Sequence, residues 1–134
     1  MRSISSLGPL PRSDAVLVVE EDRALADLIR VSLRRHGFNV SVVFDIDDLD
    51  HQIDRFDPMV ILLDLFLPGT NGLDLLALLK RSGKLNRRHV ILISAYGFTE
   101  VIEQSVEVGA VDFVIKPVNV DVLVQKVMKW SERD

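Results

Sequence analysis

The sequence predicts an α/β fold, a doubly wound five-stranded parallel sheet between two layers of helices. Two observations lead to this prediction. Five short runs of branched apolar residues recur from residue 15 onward, and a segment that is amphipathic at helical spacing follows each run. Because strand–helix–strand units cross over with a right-handed turn, this strict alternation indicates a parallel sheet that is covered on both faces.

The predicted strands lie at residues 15–19, 40–44, 59–63, 90–93 and 111–115. Four of these runs are almost continuously apolar, which is typical of parallel strands with helices against both faces. The run at 40–44 is interrupted by Ser41. An edge position in the sheet is therefore predicted for this second strand.

The predicted helices are segments whose apolar residues recur three or four positions apart. The first is expected to end at His36 and Gly37, because glycine readily adopts the left-handed conformation that closes helices. The acidic segment 45–56, with only Leu49, Ile53 and Phe56 to bury, has the weakest helical pattern. The apolar faces of the other four helices are predicted at Leu25, Leu28, Ile29 and Leu33; at Leu73, Leu75, Leu76 and Leu79; at Val101, Ile102, Ser105 and Val106; and at Val120, Leu123, Val124, Val127 and Met128.

The composition is that of a soluble globular domain, since 48% of the 134 residues are apolar and 27% are charged. The absence of cysteine excludes both a disulfide framework and a thiolate metal site. A net charge of −4 argues against a broad nucleic-acid-binding surface, and no apolar stretch is long enough to span a bilayer. We therefore expect a cytoplasmic chain that binds neither nucleic acid nor a membrane directly.

The boundaries of the domain are predicted from a change in composition along the chain. Residues 1–14 are rich in Ser, Pro and Gly and are expected to form a flexible N-terminal arm. Residues 15–131 are expected to form the domain, and residues 132–134 a C-terminal tail. The charged ending is compatible with a stand-alone domain and also with a piece of a longer regulator.

Four of the apolar runs deliver a polar or charged side chain at their carboxyl end. Glu20 and Glu21 follow the first run, Asp64 the third, Ser94 the fourth and Lys116 the fifth. In open α/β sheets, ligands bind beyond the carboxyl ends of the strands, where the strand order reverses. Each of these residues alone is compatible with an ordinary polar loop, but the set of five predicts a functional site.

This set of side chains has the composition of a site for phosphoryl transfer. Crowded carboxylates favour a cation among them, and Mg²⁺ prefers a site with one or two carboxylates that keeps several waters. A lysine and a serine hydroxyl supply further contacts to phosphate oxygens, and phosphoryl transfer needs mainly in-line positioning and neutralised oxygens. Asp64 is the candidate nucleophile, which would form an acyl phosphate, because the other charged residues come from strands expected on either side of it.

Four stretches of the chain resemble the receiver family of two-component signalling, the CheY-like response regulators. They are LVVEED at residues 17–22, LLDLFLPGTNG at 62–72, ILISA at 91–95 and GAVDFVIKP at 109–117. Asp64, Pro68 and Gly72 at this spacing, followed later in the chain by the pair Lys116 and Pro117, are a specific signal of this family. The resemblance extends from residue 15 to about residue 130.

The resemblance implies a flavodoxin-like three-layer sandwich with strand order 2-1-3-4-5 and a role for each candidate residue. Asp64 would be the phosphoacceptor, supported by Lys116 and Ser94. Ser94 and Phe113 would act as the switch that changes the surface of the fourth helix, fifth strand and fifth helix. Mg²⁺ would be the cofactor, and the implied metal ligands are Glu20, Glu21, Asp64 and the backbone carbonyl of Phe66.

The resemblance also implies partners for the chain. The phosphoryl donor would be the phosphohistidine of a sensor histidine kinase or a phosphotransfer protein, and a downstream effector protein or domain would recognise the changed surface. Such a receiver is not an enzyme for another substrate, since it catalyses only its own phosphorylation and dephosphorylation. A homodimer formed on phosphorylation is a further implication at the level of the family.

Two features depart from the family pattern. Most members carry Asp at the position of Glu21, and the longer side chain predicts weaker Mg²⁺ binding, because Mg²⁺ demands near-ideal octahedral geometry. Phe66 and Tyr96 lie two residues after Asp64 and Ser94, at positions that flank the phosphoryl group in the family. Two bulky rings at these positions predict slow self-dephosphorylation.

Two other functions share parts of this pattern. A silent receiver, with the same fold but without phosphorylation, would act as a constitutive protein-interaction module, and Glu21 keeps this alternative open. A haloacid-dehalogenase-like phosphatase would need a second Asp two residues after the nucleophile as general acid. Phe66 occupies that position, so the sequence argues against this enzyme.

Overall fold

The computed structural model describes residues 10–67, 69–95 and 99–131, in which strands and helices alternate. A short 3₁₀ helix (Ile46–Asp48) precedes the second α-helix. In chain order the elements are β1 (Arg12–Val19), α1 (Arg23–Arg35), β2 (Asn39–Val43), α2 (Leu49–Phe56), β3 (Pro58–Asp64), β4 (Phe66–Leu67), β5 (Thr70–Asn71), α3 (Gly72–Arg81), β6 (His89–Ser94), α4 (Thr99–Glu107), β7 (Ala110–Ile115) and α5 (Val120–Ser131).

The five long strands form one parallel sheet in the order β2-β1-β3-β6-β7. Counted among themselves, these strands have the order 2-1-3-4-5, so the predicted fold class is confirmed. β2 lies at an edge, as the interruption at Ser41 indicated. The strand order reverses between β1 and β3, which places the expected ligand position at the carboxyl ends of these two strands.

Successive residues of the central strands bury opposite faces of the sheet. On β1, Val16 and Val18 pack with residues of α1 and α5, whereas Leu17 and Val19 pack with residues of α2 and α3. Every residue of β3 is buried. Because side chains alternate along a strand, a sheet covered on both faces needs apolar residues at every position, which explains the continuous apolar runs.

The sheet begins earlier in the chain than the composition predicted. The backbone N–H of Arg12 donates a 2.9 Å hydrogen bond to the carbonyl of Asp57, and Arg12 is paired with Pro58 across the two strands. Residues 12–14 therefore belong to β1 rather than to the predicted arm. The prediction failed there because backbone pairing at the end of a strand does not require apolar side chains. Residues 1–9 of the predicted arm and the predicted tail at 132–134 lie outside the described residues.

Among the side chains that the structure describes, which do not include those of Val101 and Ile102, three that were predicted on buried helix faces are exposed instead. They are Leu28, Val106 and Met128. On α1 the buried face consists of Ala26, Ile29 and Leu33, and Leu28 lies about 100° around the helix from Ile29. Two adjacent apolar residues therefore cannot both lie at the centre of one face. In the described part of the chain, no helix is long and apolar enough to cross a membrane.

A two-stranded antiparallel hairpin, formed by β4 and β5, follows the carboxyl end of β3. The N–H of Gly72 donates to the carbonyl of Leu65 at 3.1 Å, and a Cβ on Gly72 would lie 2.8 Å from the Leu65 Cα. Only glycine therefore permits this approach of α3 to the backbone next to Asp64. Asn71 caps the same helix, since its Oδ1 accepts from the N–H of Leu73 at 3.0 Å. These contacts position the loop that follows Asp64.

Candidate functional site

Asp64 is the last residue of β3 and lies, buried, at the centre of the carboxyl edge of the sheet. Its Oδ2 accepts a 3.0 Å hydrogen bond from Lys116 Nζ, and its Oδ1 accepts a 2.9 Å bond from the backbone N–H of Phe66. One oxygen therefore faces a cation and the other faces an amide. The two contacts fix the orientation of the carboxylate.

Lys116 follows β7 and reaches back across the edge of the sheet. Its backbone N–H donates to the carbonyl of Ser94 at 2.8 Å, which extends the pairing of β6 and β7 by one residue. Its Nζ lies 2.9 Å from Glu20 Oε1 and 3.0 Å from Asp64 Oδ2. Burial lowers the pKa of Lys116, but the hydrogen bonds to Glu20 and Asp64 outweigh it and raise the pKa above the usual value. The ammonium is therefore charged at neutral pH.

Glu20 follows β1 and has no solvent-exposed surface. Although Lys116 Nζ is within ion-pair distance, neither Glu20 oxygen accepts a hydrogen bond of good geometry from the described residues. Burial and the neighbouring Asp64 carboxylate together outweigh the effect of Lys116 and raise the pKa of Glu20 to about 7. Burial of a carboxylate without hydrogen-bond donors costs free energy. An additional positive charge beside Glu20 would therefore stabilise its ionised form.

The charges of this cluster fit a hard divalent cation. Glu20 and Asp64, when both are ionised, carry two negative charges, against one positive charge on Lys116. Carboxylate oxygens are the ligands that Mg²⁺ prefers, and the orphaned oxygens of Glu20 lie beside Asp64. Glu20 and Asp64 are therefore suited to hold such an ion.

Glu21 lies in the bend that follows β1, and its role as a metal ligand stays a prediction. Its side chain is exposed and lines a separate cavity of about 220 Å³ together with Phe44 and Asp45. Within the described ranges, no group of three or more His, Cys, Asp or Glu side chains is arranged to hold a metal ion. The chain bends at Glu21, directly after the buried Glu20, so the two side chains lie in different surroundings.

Ser94 lies on β6, which pairs with the strand of Asp64, and Phe113 lies on β7, the next strand of the sheet. Asp64 pairs with Ile93 across β3 and β6, so the buried Ser94 stands one residue further toward the same edge. Phe113 lies on β7, opposite Leu92, and its partly buried ring packs against the core on the side of α2 and α3. The structure thus places both proposed switch residues on the strands that carry the site.

Phe66 lies next to the Asp64 carboxylate with 52% of its surface exposed. Together with Leu65, Thr70, Asn71 and Leu73, it lines an apolar cavity of about 320 Å³. Tyr96, the second residue predicted to flank the phosphoryl group, lies outside the described residues. Screening of the phosphoryl group by these two rings stays a prediction.

The sequence analysis missed the residues that position the loop after Asp64. These are the amide of Phe66, the cap of Asn71 and the close approach of Gly72 to Leu65. Asn directly before a segment with helical periodicity is a known signal for a helix start, and Asn71 could have been identified as the cap from it. The close approach has no comparable signal in the sequence.

The profile of the response regulator receiver domain matches residues 16–128. The chain belongs to the response regulator receiver family. The receiver domain of the Francisella response regulator 1452 is similar in structure, with a TM-score of 0.80 and 27% identity over 87% of this chain and 95% of that chain. Membership in this family makes the chain a component of two-component signal transduction.

Two full-length response regulators are similar in sequence to this receiver. The phosphate regulon transcriptional regulatory protein PhoB of Rhizobium meliloti (strain 1021) is 30% identical over 118 residues, which are 88% of this chain and 52% of that protein. The DNA-binding response regulator MtrA of Mycolicibacterium smegmatis is 32% identical over 119 residues, which are 89% of this chain and 51% of that protein. The receiver spans about half the length of these relatives.

Proposed function

We propose that this receiver accepts a phosphoryl group on Asp64 and that phosphorylation changes a protein-interaction surface. The observation that carries the proposal is the buried Asp64 carboxylate at the strand-order reversal, with the Lys116 ammonium 3.0 Å from one oxygen. Lys116 is placed where negative charge would accumulate on the transferred group. It therefore favours the transfer and the product.

In the proposed reaction, the donor is the phosphohistidine of a sensor histidine kinase or a phosphotransfer protein. A carboxylate oxygen of Asp64 forms a bond to phosphorus while the bond from phosphorus to the imidazole nitrogen breaks, and the imidazole leaves with the electron pair. Ser94 then donates its hydroxyl hydrogen to a phosphoryl oxygen, and Phe113 turns toward Ser94. The change in charge thus biases a two-state element whose surface an effector recognises.

We also propose that Mg²⁺ is the cofactor and that Glu20 and Asp64 hold it, with the Phe66 carbonyl and Glu21 as further candidate ligands. The ion would supply the positive charge that the buried carboxylates lack. Support comes from the two Glu20 oxygens without hydrogen-bond donors among the described residues. In the family, Mg²⁺ binding is general, and the departure at Glu21 is expected to weaken it.

The direct test is the intact mass of the protein after incubation with phosphoramidate and Mg²⁺. The parent is expected to gain one phosphoryl group, and the Asp64→Asn variant none. Asp74→Asn is the matched control, because Asp74 is exposed in the first turn of α3, and it should behave as the parent. Uptake by Asp64→Asn equal to that of the parent would contradict the site. No uptake by the parent at high Mg²⁺ would contradict phosphorylation and favour the silent receiver.

We infer further that Phe66 slows hydrolysis of the acyl phosphate by limiting the access of water. Phe66→Asn should lose the phosphoryl group several-fold faster than the parent, as measured by intact mass over time. Leu78→Asn is the matched control, since Leu78 is similarly exposed but lies on α3. Equal rates in the parent and Phe66→Asn would exclude screening by this ring.

The relatives suggest the setting in which the receiver works. PhoB is named a transcriptional regulatory protein and MtrA a DNA-binding response regulator, and each is about twice as long as this chain. We propose that a separate effector domain or protein provides any such output, because the net charge of −4 makes direct contact of this chain with DNA unfavourable. We propose a cytoplasmic location and a homodimer that forms on phosphorylation.

A further inference from the structure

Lys126, on α5, contacts Phe113 in two ways. Its Nζ donates a 2.8 Å hydrogen bond to the backbone carbonyl of Phe113 and lies 5.2 Å from the centroid of the Phe113 ring. The same ammonium donates to Asp112 Oδ1 at 2.7 Å. One cation therefore contacts both the backbone and the ring of a proposed switch residue.

Asp112 in turn holds Lys126 in place. In addition to Lys126, Asp112 accepts a 3.1 Å hydrogen bond from the indole N–H of Trp130 and a 2.8 Å bond from the N–H of Phe113. The side chains of Lys126 and Asp112 are only 28% and 20% exposed. The Trp130 ring also contacts the His89 ring, with 5.2 Å between centroids. The ammonium is thus fixed in a partly shielded position between α5 and β7.

We propose that Lys126 is a positioning residue that holds the Phe113 ring beside its ammonium and opposes the turn of the ring toward Ser94. The second half of this proposal rests on the proposed phosphorylation of Asp64. The first half concerns the unphosphorylated protein alone and can be tested without it.

Lys126 loses one of its contacts with Phe113 when the ring moves. A cation near the face of an aromatic ring is attracted to it, and this attraction is lost when the ring turns away. The hydrogen bonds from Lys126 to the Phe113 carbonyl and to Asp112 do not require the ring and can persist. Lys126 therefore stabilises one ring position relative to the other, and removing it shifts the equilibrium toward the turned ring.

The first experiment follows the Phe113 ring by NMR in unphosphorylated protein with ¹³C-labelled phenylalanine, with the signal assigned from Phe113→Leu. Lys126→Gln should shift or broaden the Phe113 ring signals. Lys126→Arg keeps the cation and should restore them. Lys129→Gln is the matched control on the same helix, because its ammonium lies over the Trp130 ring instead. Parental ring signals in Lys126→Gln would overturn the positioning role.

The second experiment measures the rate of phosphoryl uptake from phosphoramidate with Mg²⁺. Lys126→Gln should react about fivefold faster than the parent, a change that corresponds to about 1 kcal/mol. Lys126→Arg and Lys129→Gln should keep the parental rate. A general loss of stability, seen as a lower melting temperature, would not by itself make Lys126→Gln faster and leave these two variants unchanged.

The outcomes of the two experiments separate the two proposals. If the parent reacts and Lys126→Gln reacts at the same rate, Lys126 does not oppose the switch. If the parent takes up no phosphoryl group, the proposed function fails and the opposition to the switch fails with it. The ring signals then still decide whether Lys126 positions Phe113.

Discussion

Two clusters of carboxylate and lysine side chains in this receiver differ in how well their charges are satisfied. In the cluster on α5 and β7, the single carboxylate of Asp112 accepts from Lys126, from Trp130 and from the backbone N–H of Phe113. In the cluster at the carboxyl edge, Glu20 and Asp64 share the ammonium of Lys116. The first cluster is saturated with donors, whereas the second lacks positive charge.

The same chemical group consequently shows opposite pKa shifts in the two clusters. Burial raises the pKa of Asp112, but the hydrogen bonds from Lys126 and Trp130 outweigh it, so the pKa is lowered from its usual value. Burial and the neighbouring Asp64 raise the pKa of Glu20 to about 7. A saturated carboxylate is typical of a structural contact, and an unsaturated buried one is typical of a site that binds a further ligand.

The largest effect is expected when the saturated cluster is broken. Asp112→Ala removes the acceptor of Lys126, Trp130 and the Phe113 N–H and should lower the free energy of unfolding by about 1–3 kcal/mol, because three donors lose this acceptor. Denaturant unfolding at pH 7 measures this change. Asp27→Ala, which removes an exposed ion pair to Arg30, is the control and should change it by less than about 0.5 kcal/mol. Equal losses in the two variants would show that Asp112 is no more than a surface charge.

A smaller effect, of opposite sign, is expected at the unsaturated cluster. In buffer with a chelator at pH 8, Glu20→Gln should raise the free energy of unfolding by about 1 kcal/mol, because it removes a buried carboxylate and leaves Lys116 paired with Asp64. A lower free energy of unfolding in Glu20→Gln at pH 8 would contradict the view that the buried Glu20 carboxylate destabilises the folded state at this pH.

The pH dependence sharpens the difference between the clusters. The folded-state pKa of Glu20 is about 7, above the usual 4.5, so the folded state binds the proton more tightly and stability falls as pH rises through that window. The advantage of Glu20→Gln should therefore appear between pH 4.5 and 7. Asp112 has a pKa below its usual 3.8, so the stability it contributes is full above that pH and is lost as pH falls through the lowered pKa. Unfolding of Asp112→Asn and the parent should accordingly converge only in acid.

The smallest effect is expected at Glu21, which lies beside the unsaturated cluster but faces the separate cavity with Phe44. Glu21→Asp should tighten Mg²⁺ binding by less than about tenfold, because a shorter side chain suits the octahedral geometry of the ion better. A calorimetric Mg²⁺ titration measures this. Glu103→Asp, an exposed substitution on α4, is the control. Unchanged or weaker binding in Glu21→Asp would remove Glu21 from the site.

Much of the fold could be predicted from the sequence, because continuous apolar runs indicate strands that are covered on both faces of the sheet. The order of the strands came from the resemblance to the family, since periodicity does not show which strands are neighbours. The extension of β1 to Arg12 depends on backbone pairing with Pro58, which leaves no apolar signal. The exposure of Leu28 next to the buried Ile29 could not be decided from the sequence, because both residues fit a helical stripe.

The site was predictable to the level of the sheet edge and no further. The rule that ligands bind at the carboxyl ends of strands identified Asp64, Lys116 and the two glutamates. This rule could not show that the Glu20 side chain is buried and the Glu21 side chain exposed. Because β1 is buried on both faces, its apolar residues do not alternate with polar ones and do not show which way the next side chain points. The contact between Lys126 and Phe113 joins α5 to β7, and no local sequence pattern predicts such a contact.

The central claim proposed for this receiver is that Glu20 and Asp64 bind a divalent cation, and a thermal unfolding series with increasing Mg²⁺ tests it most directly. A ligand that binds the folded state and not the unfolded state raises the melting temperature, and the rise continues as the ligand concentration increases above Kd. The parent should show this rise at constant ionic strength. Asp112→Asn should start lower and show the same rise, and Glu20→Gln should show little or none. A parent that does not respond to Mg²⁺, or an equal response in Glu20→Gln, would contradict the claim.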